Sequence, residues 1–355
     1  MIESIWTRNL LCFDENEHRV DCAPLTVLVG PNNSGKSALI TGFNLLREAG
    51  MRGGPYWETE SYNLGDFASA VHKHETNRII EVGTRIRDTE SPITLTTSFE
   101  GGAYQGFRSS PSVPNPMNLL RKTWYFRASR SDVSKERQTQ QGGSTPIWGQ
   151  QLDPYGSNII TYLLERWTDQ DKNWPIAQDW LRKIDPELSI LKSPLRRNLA
   201  SLETTSKYSD VSVNLAYQGT GIQKALTIIA GVIFSPPGYT LIIEEPEVHL
   251  ERGSIEGLVD LFNYAVMKWN KQIIISTHSI DLLLQYASDL GLGTSRGGDH
   301  PRIDGSKFRL VAFERQAGKI AIREEDMKGR FTAMMDRLRA ILKPAAPAKV
   351  AVAAQ

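Results

Sequence analysis

Residues 24–46 string together a strand, a phosphate loop and a helix, and few folds accommodate that order. Leu25, Val27 and Val29, with Thr26 and Leu28 between them, make an apolar, β-branched run of buried-strand length. Gly30, Pro31, Asn32, Asn33, Ser34, Gly35, Lys36 and Ser37 follow as a complete G-x-x-x-x-G-K-[ST] loop. Its glycines let the backbone curl so that N–H groups point inward at a β-phosphate. Lys36 is then placed to reach the β- and γ-phosphates, and the Ser37 hydroxyl to ligate Mg²⁺. Ala38, Leu39, Ile40 and the stretch 43–46 continue as an apolar-striped helix whose N-terminus adds positive dipole at the phosphates. The segment is suited to a nucleoside triphosphate.

About two hundred residues later, Leu241-Ile-Ile runs into Glu244 and Glu245, followed by Pro-Glu247-Val-His249-Leu250. An apolar strand ending in paired carboxylates is what a Mg²⁺-dependent NTPase needs beside its phosphate loop. Glu244 is the expected metal carboxylate, and Glu245 the base that polarises an attacking water. Ile273-Ile-Ile-Ser-Thr-His278-Ser279 sets an imidazole at the end of another strand, within reach of a γ-phosphate or that water. Gly219, Thr220 and Gly221 open a further helix with a glycine-rich turn whose free N–H groups suit an anion.

Composition adds limits. At 355 residues, with 40% hydrophobic and 23% charged side chains, the chain reads as a soluble globular protein of two or three structural units. A net charge of +1 supplies no strong field for nucleic acid or a membrane surface. Cys12 and Cys22 lack metal-ligand spacing and read as thiols of a reducing compartment. There is neither a signal-peptide pattern nor an apolar run long enough to span a bilayer, so a cytoplasmic protein is expected.

The four elements in this order resemble the ATP-binding cassette heads of the SMC, RecF and overcoming-lysogenization-defect (OLD) ATPases. Residues 30–37 are similar to the Walker A loop, 219–223 lie where those proteins carry a signature motif, 241–245 are similar to Walker B, and His278 to the switch histidine. Glu-Glu-Pro-Glu-Val-His-Leu and Ile-Ser-Thr-His-Ser look like the OLD and RecF branches, and residues 6–13 resemble the opening strand that precedes the adenine contacts. The resemblance implies ATP and Mg²⁺ as ligands: residues 30–38 with Gly219, Thr220 and Gly221 for the nucleotide, Ser37 and Glu244 for the metal, and Lys36, Glu245 and His278 for catalysis.

The sequence also departs from the pattern. Gly219 stands where the signature serine is expected, Glu244 where aspartate is usual, and Asn63 or Asp66 lies near the place of the Q-loop glutamine. The chain has no heptad arm or Cys-x-x-Cys hook, and the residues after His278 are too few for a TOPRIM nuclease, so a stand-alone ATPase is expected. The expected partners are a second copy, as a head-to-head dimer or higher oligomer, and a separately encoded nuclease or toxin in anti-phage defence. Two alternatives stand beside this: a RecF-like repair ATPase on duplex DNA, and an ATP-bound scaffold with little turnover.

The fold expected is α/β, a P-loop NTPase of ABC type: a mainly parallel central sheet, an antiparallel β-lobe near 79–100 and a helical insertion. The expected division is 1–120 (Walker A lobe), 121–205 (insertion), 206–325 (signature, Walker B and switch histidine) and 326–355 (terminal helix and disordered tail). Residues 157–191 read as helical throughout, with Trp167, Trp174 and Trp180 in the insertion's core. Arg121, Lys122, Arg127 and Arg130 interleave with Trp124, Tyr125 and Phe126, which fits either nucleic-acid stacking or a half-buried strand. Lys192, Arg196 and Arg197 make a second basic patch with the same two readings.

Overall fold

The computed structural model describes the chain except 53, 60, 90, 100–106, 110–117, 119, 128–136, 139–151, 193–198, 201, 207–211, 293–300, 317–318, 326–330 and 343–355. Strands β1 (Ile2–Arg8), β2 (His18–Asp21) and β3 (Leu25–Val29) precede the phosphate loop and its helix, Lys36–Arg52. Next come β4 (Ile80–Ile86), β5 (Ile93–Thr97), β6 (Phe107–Ser109) and β7 (Thr123–Phe126). β8 (Arg137–Gln138) is followed by helices Ile159–Thr168 and Trp174–Ile184, then β9 (Leu188–Lys192), β10 (Leu199–Ala200), β11 (Leu202–Ser206) and β12 (Ser212–Asn214). Helix Thr220–Phe234 leads to β13 (Thr240–Glu244), helix Arg252–Lys268 to β14 (Gln272–Thr277), and helix Ile280–Asp289 to the hairpin β15 (Phe308–Gln316) and β16 (Lys319–Glu325). Helix Phe331–Leu342 is the last described element.

The central sheet has the order β16-β15-β3-β14-β13-β7, parallel throughout except for the β15–β16 hairpin. Its strands alternate between two cores, as the two-residue period of a strand requires. Val27, Ile243, Ile275 and Trp124 face one core, with helices 159–168, 174–184, 220–234 and 252–268. Leu28, Ile242, Ile274 and Tyr125 face the other, with the phosphate-loop helix and the antiparallel sheet β2-β1-β4-β5-β6. Both faces being covered explains why β3, β13 and β14 are buried at every residue.

Several expectations need correction. β7 lies inside the 121–205 stretch yet pairs in parallel with β13, so that stretch is not purely helical and supplies a strand of the central sheet. Trp124, Tyr125 and Phe126 are buried rather than half-buried, because each face of the strand meets a core, and none offers a ring to a nucleic-acid base. The run 157–191 is two helices and then β9: Asp185 leaves helical geometry before Pro186, and Leu188 and Ile190 alternate inward. The phosphate-loop helix runs to Arg52, and the helix opened by the later glycine-rich turn begins at Thr220. Helix Arg252–Lys268 and strands β2, β9 and β11 were not anticipated. The tail expected at 343–355, most of the Gly-, Ser- and Pro-rich stretch 101–116 expected as loop, most of the polar stretch 129–143 expected to be mobile, and Arg130, Arg196 and Arg197 lie outside the described residues.

Candidate nucleotide site

Three neighbouring parallel strands end together. Val29 stands opposite Thr277, and Ser276 opposite Glu244, so β3, β14 and β13 deliver the phosphate loop, His278 and the carboxylate pair to one edge of the sheet. Ligands of open α/β sheets sit at this carboxyl edge. A cleft of about 640 Å³ opens there. Residues 32–38 and Glu245 line one side; Leu11, Cys12, Ser69, Val71, Lys73 and His74 line the other.

Gly35 holds a φ of +102°, a left-handed turn that an L side chain resists, and it lines the cleft with its neighbours. Lys36 is buried, and its ammonium donates to the carbonyls of Gly30 at 2.7 Å and Pro31 at 2.9 Å. Burial lowers its pKa, while Glu245, Glu244 and Glu247 pull the other way. A triphosphate would replace weak carbonyl acceptors with a charged one, which strengthens each bond.

Glu244 is buried, and its carboxylate accepts from the Tyr125 hydroxyl at 2.9 Å and from that of Ser37. Burial pushes its pKa above the ordinary carboxylate value against the effect of those hydroxyls. Among the described residues no basic side chain forms an ion pair with it. A desolvated carboxylate beside a serine hydroxyl and a phosphate loop fits Mg²⁺, held by Glu244 and Ser37. The ion would supply charge stabilisation to the phosphates.

Glu245 sits one residue past the strand in a left-handed backbone, φ 45°, with its N–H bonded to the Ser276 carbonyl at 2.7 Å. Its carboxylate lies 3.2 Å from His278 Nδ1. Strained backbone of this kind persists only where its surroundings hold it. The Ser276 carbonyl and the Lys224 ammonium do so here. The Lys224 ammonium donates to the Glu245 carbonyl. The Thr277 hydroxyl donates to buried Glu247 and accepts from the Ser279 N–H, fixing the turn that presents His278.

The strand ends bring the phosphate loop, Glu244, Glu245 and His278 together, although of these only residues 32–38 and Glu245 line the cleft itself; Gly219, Thr220 and Gly221 do not line it either. Gly219 caps its helix without a side-chain hydrogen bond, and a Cβ there would meet nothing within 4 Å. Gly221 is pressed against the chain beyond Glu245: a Cβ would come within 2.2 Å of the His249 carbonyl oxygen. Neither Asn63 nor Asp66 lines the cleft. Asn63 donates to Glu58, and Asp66 accepts from the Ser69 N–H. Sequence reading missed Tyr125, Lys224 and the Ser69–His74 stretch, since none sits in a recognisable local pattern, and it gave Glu247 no role although that residue lies within the Glu-Glu-Pro-Glu-Val-His-Leu run.

Comparison with known proteins agrees with this geometry. The energy-coupling factor transporter ATP-binding protein EcfA2 of Clostridioides difficile (strain 630) is 30% identical over 126 residues. That match covers 33% of this chain and 43% of EcfA2, so the chain spans less than half of that relative's length. A crystal structure of an SmcHead bound to the C-winged helix domain of ScpA superposes with a TM-score of 0.58 at 11% identity, over 93% of this chain and 99% of that one. The Smc head domain with an extended coiled coil, bound to the C-terminal domain of ScpA derived from Pyrococcus furiosus, gives 0.57 at 12%, over 95% and 99%. Those likenesses show the fold. Residues 25–285, which hold all the strand-end residues described above, match the family described as "AAA domain, putative AbiEii toxin, Type IV TA system", and the chain belongs to that family.

Proposed function

We propose that the protein binds Mg²⁺-ATP in this cleft and hydrolyses it, with Glu245 as general base, His278 holding that carboxylate, and Lys36 at the β- and γ-phosphates. The observation that carries the reading is the position of Glu245, which lines the cleft with Lys36 and also contacts His278. In this reading two copies pair around ATP, each turn at Gly219, Thr220 and Gly221 meeting the other's phosphate loop. Gly219, exposed and outside the cleft of its own chain, supports that arrangement. In the same reading the closure controls a separately encoded nuclease or toxin in defence against phage; the family's description, which names a Type IV TA system, is consistent with a paired-component role.

Phosphate release measured on Glu245→Gln is the test. Turnover falls on the order of 10²- to 10⁴-fold while ATP stays bound. Unchanged turnover would remove Glu245 as the base.

A further inference from the structure

Glu244 carries its carboxylate on one more methylene than an aspartate would, and so on one more bond that must be frozen before it can hold a cation. The fold contains a device for that. β7 pairs in parallel with β13 so that Tyr125 stands opposite Ile242, two residues before Glu244. Tyr125, Ile242 and Glu244 therefore share one face of the sheet. A neighbour two residues along the adjacent strand lies within reach of an aromatic side chain. The phenol spans that diagonal and donates to Glu244 Oε2 at 2.9 Å, with Tyr125 only 5% and Glu244 6% exposed. The strand is itself tied down: buried Arg47, on the phosphate-loop helix that also bears Ser37, donates to the Thr123 carbonyl and to the Ser61 hydroxyl.

We propose that Tyr125 is a positioning residue that occupies one oxygen of Glu244 and makes it a one-oxygen ligand, so that the site selects Mg²⁺ over Ca²⁺. The chemistry follows from the two cations. Mg²⁺ takes single oxygens in a tight octahedron, whereas Ca²⁺ accepts larger, irregular shells and both oxygens of one carboxylate. With one lone pair of Oε2 committed to the phenol and that oxygen's position fixed, the two-oxygen mode is disfavoured. The hydroxyl thus acts as a selector as well as a brace. This inference rests on the nucleotide-site reading above.

The experiment titrates binding of a non-hydrolysable ATP analogue with no metal, with Mg²⁺ and with Ca²⁺, in the unaltered protein and in Tyr125→Phe. In the variant the Mg²⁺ concentration needed for half-maximal tightening rises on the order of 10-fold. Metal-free affinity stays the same, and the preference for Mg²⁺ over Ca²⁺ narrows by a similar factor. Equal Mg²⁺ dependence and equal preference in both proteins overturn the inference and leave the site reading standing. Failure of the unaltered protein to bind the analogue overturns both. Tyr125→Met supplies a second arm should the phenylalanine variant not fold: it too removes the hydroxyl, so the Mg²⁺/Ca²⁺ preference narrows, and an unchanged preference there argues against the inference equally.

Discussion

Two glycine-opened helices stand in contrast within this molecule. At the phosphate loop, Gly35 is wound left-handed, Lys36 is buried, and Ser37 already contacts Glu244. At the later turn, Gly219 faces open space and its helix start has no side-chain cap. The first is furnished by its own chain; the second is presented outward. Yet the second is also tethered, through Gly221 against His249 and Lys224 on the Glu245 carbonyl. The difference separates a turn enclosed by its own chain from one that is tethered beneath and open above.

The contrast is broken most directly at Lys36. Lys36→Ala removes the buried cation of the cradle and weakens ATP binding by about 3 kcal/mol, roughly a hundredfold in Kd by calorimetry. An unaltered Kd would place the triphosphate elsewhere. Next in size is Gly221→Val, which forces a side chain onto the His249 carbonyl and costs about 1–3 kcal/mol, read as a lower Tm. Full stability in that variant would show that the tether is slack.

Lys224 gives a smaller effect with a definite sign. Burial lowers its pKa from 10.5 to about 8, against the pull of Glu247, Glu245 and Glu244. Between those two values the unfolded chain holds the proton and the folded chain has released it. Stability therefore rises with pH across the window, on the order of 1 kcal/mol after screening. Denaturant melts from pH 8 to 10 should show the slope, and Lys224→Met should flatten it. The smallest change in stability belongs to Gly219→Asp, under about 0.5 kcal/mol, because the added side chain meets nothing and aspartate is a good helix cap. That variant keeps the single-chain ATP affinity but sets a carboxylate where a partner's phosphates would dock. Light scattering should then show no ATP-driven self-association; assembly identical to the parent would argue against the paired arrangement.

What the sequence revealed and what it hid follow the same division. The cradle is written in eight consecutive residues, and Glu244, Glu245 and His278 each end an apolar strand, so local pattern placed them all. Tyr125 touches Glu244 across 119 positions, and Lys224 reaches the Glu245 carbonyl across 21; both contacts exist only once the sheet is assembled. Reading 157–191 as one helical pattern failed because Leu188 and Ile190 fit either period in so short a run. Helix Arg252–Lys268 was different. Ile255, Leu258, Val259, Phe262 and Val266 carry the helical spacing openly, and the polar start Glu251-Arg252-Gly253-Ser254 concealed it.

β7 has a practical consequence for anyone reshaping this chain. Excising 121–205 wholesale, as though it were an appendage, would strip β13 of its neighbour, uncover the backbone of the strand that ends in Glu244, and leave a bare sheet margin prone to aggregation. A graft that trims the helices must spare Thr123 to Phe126.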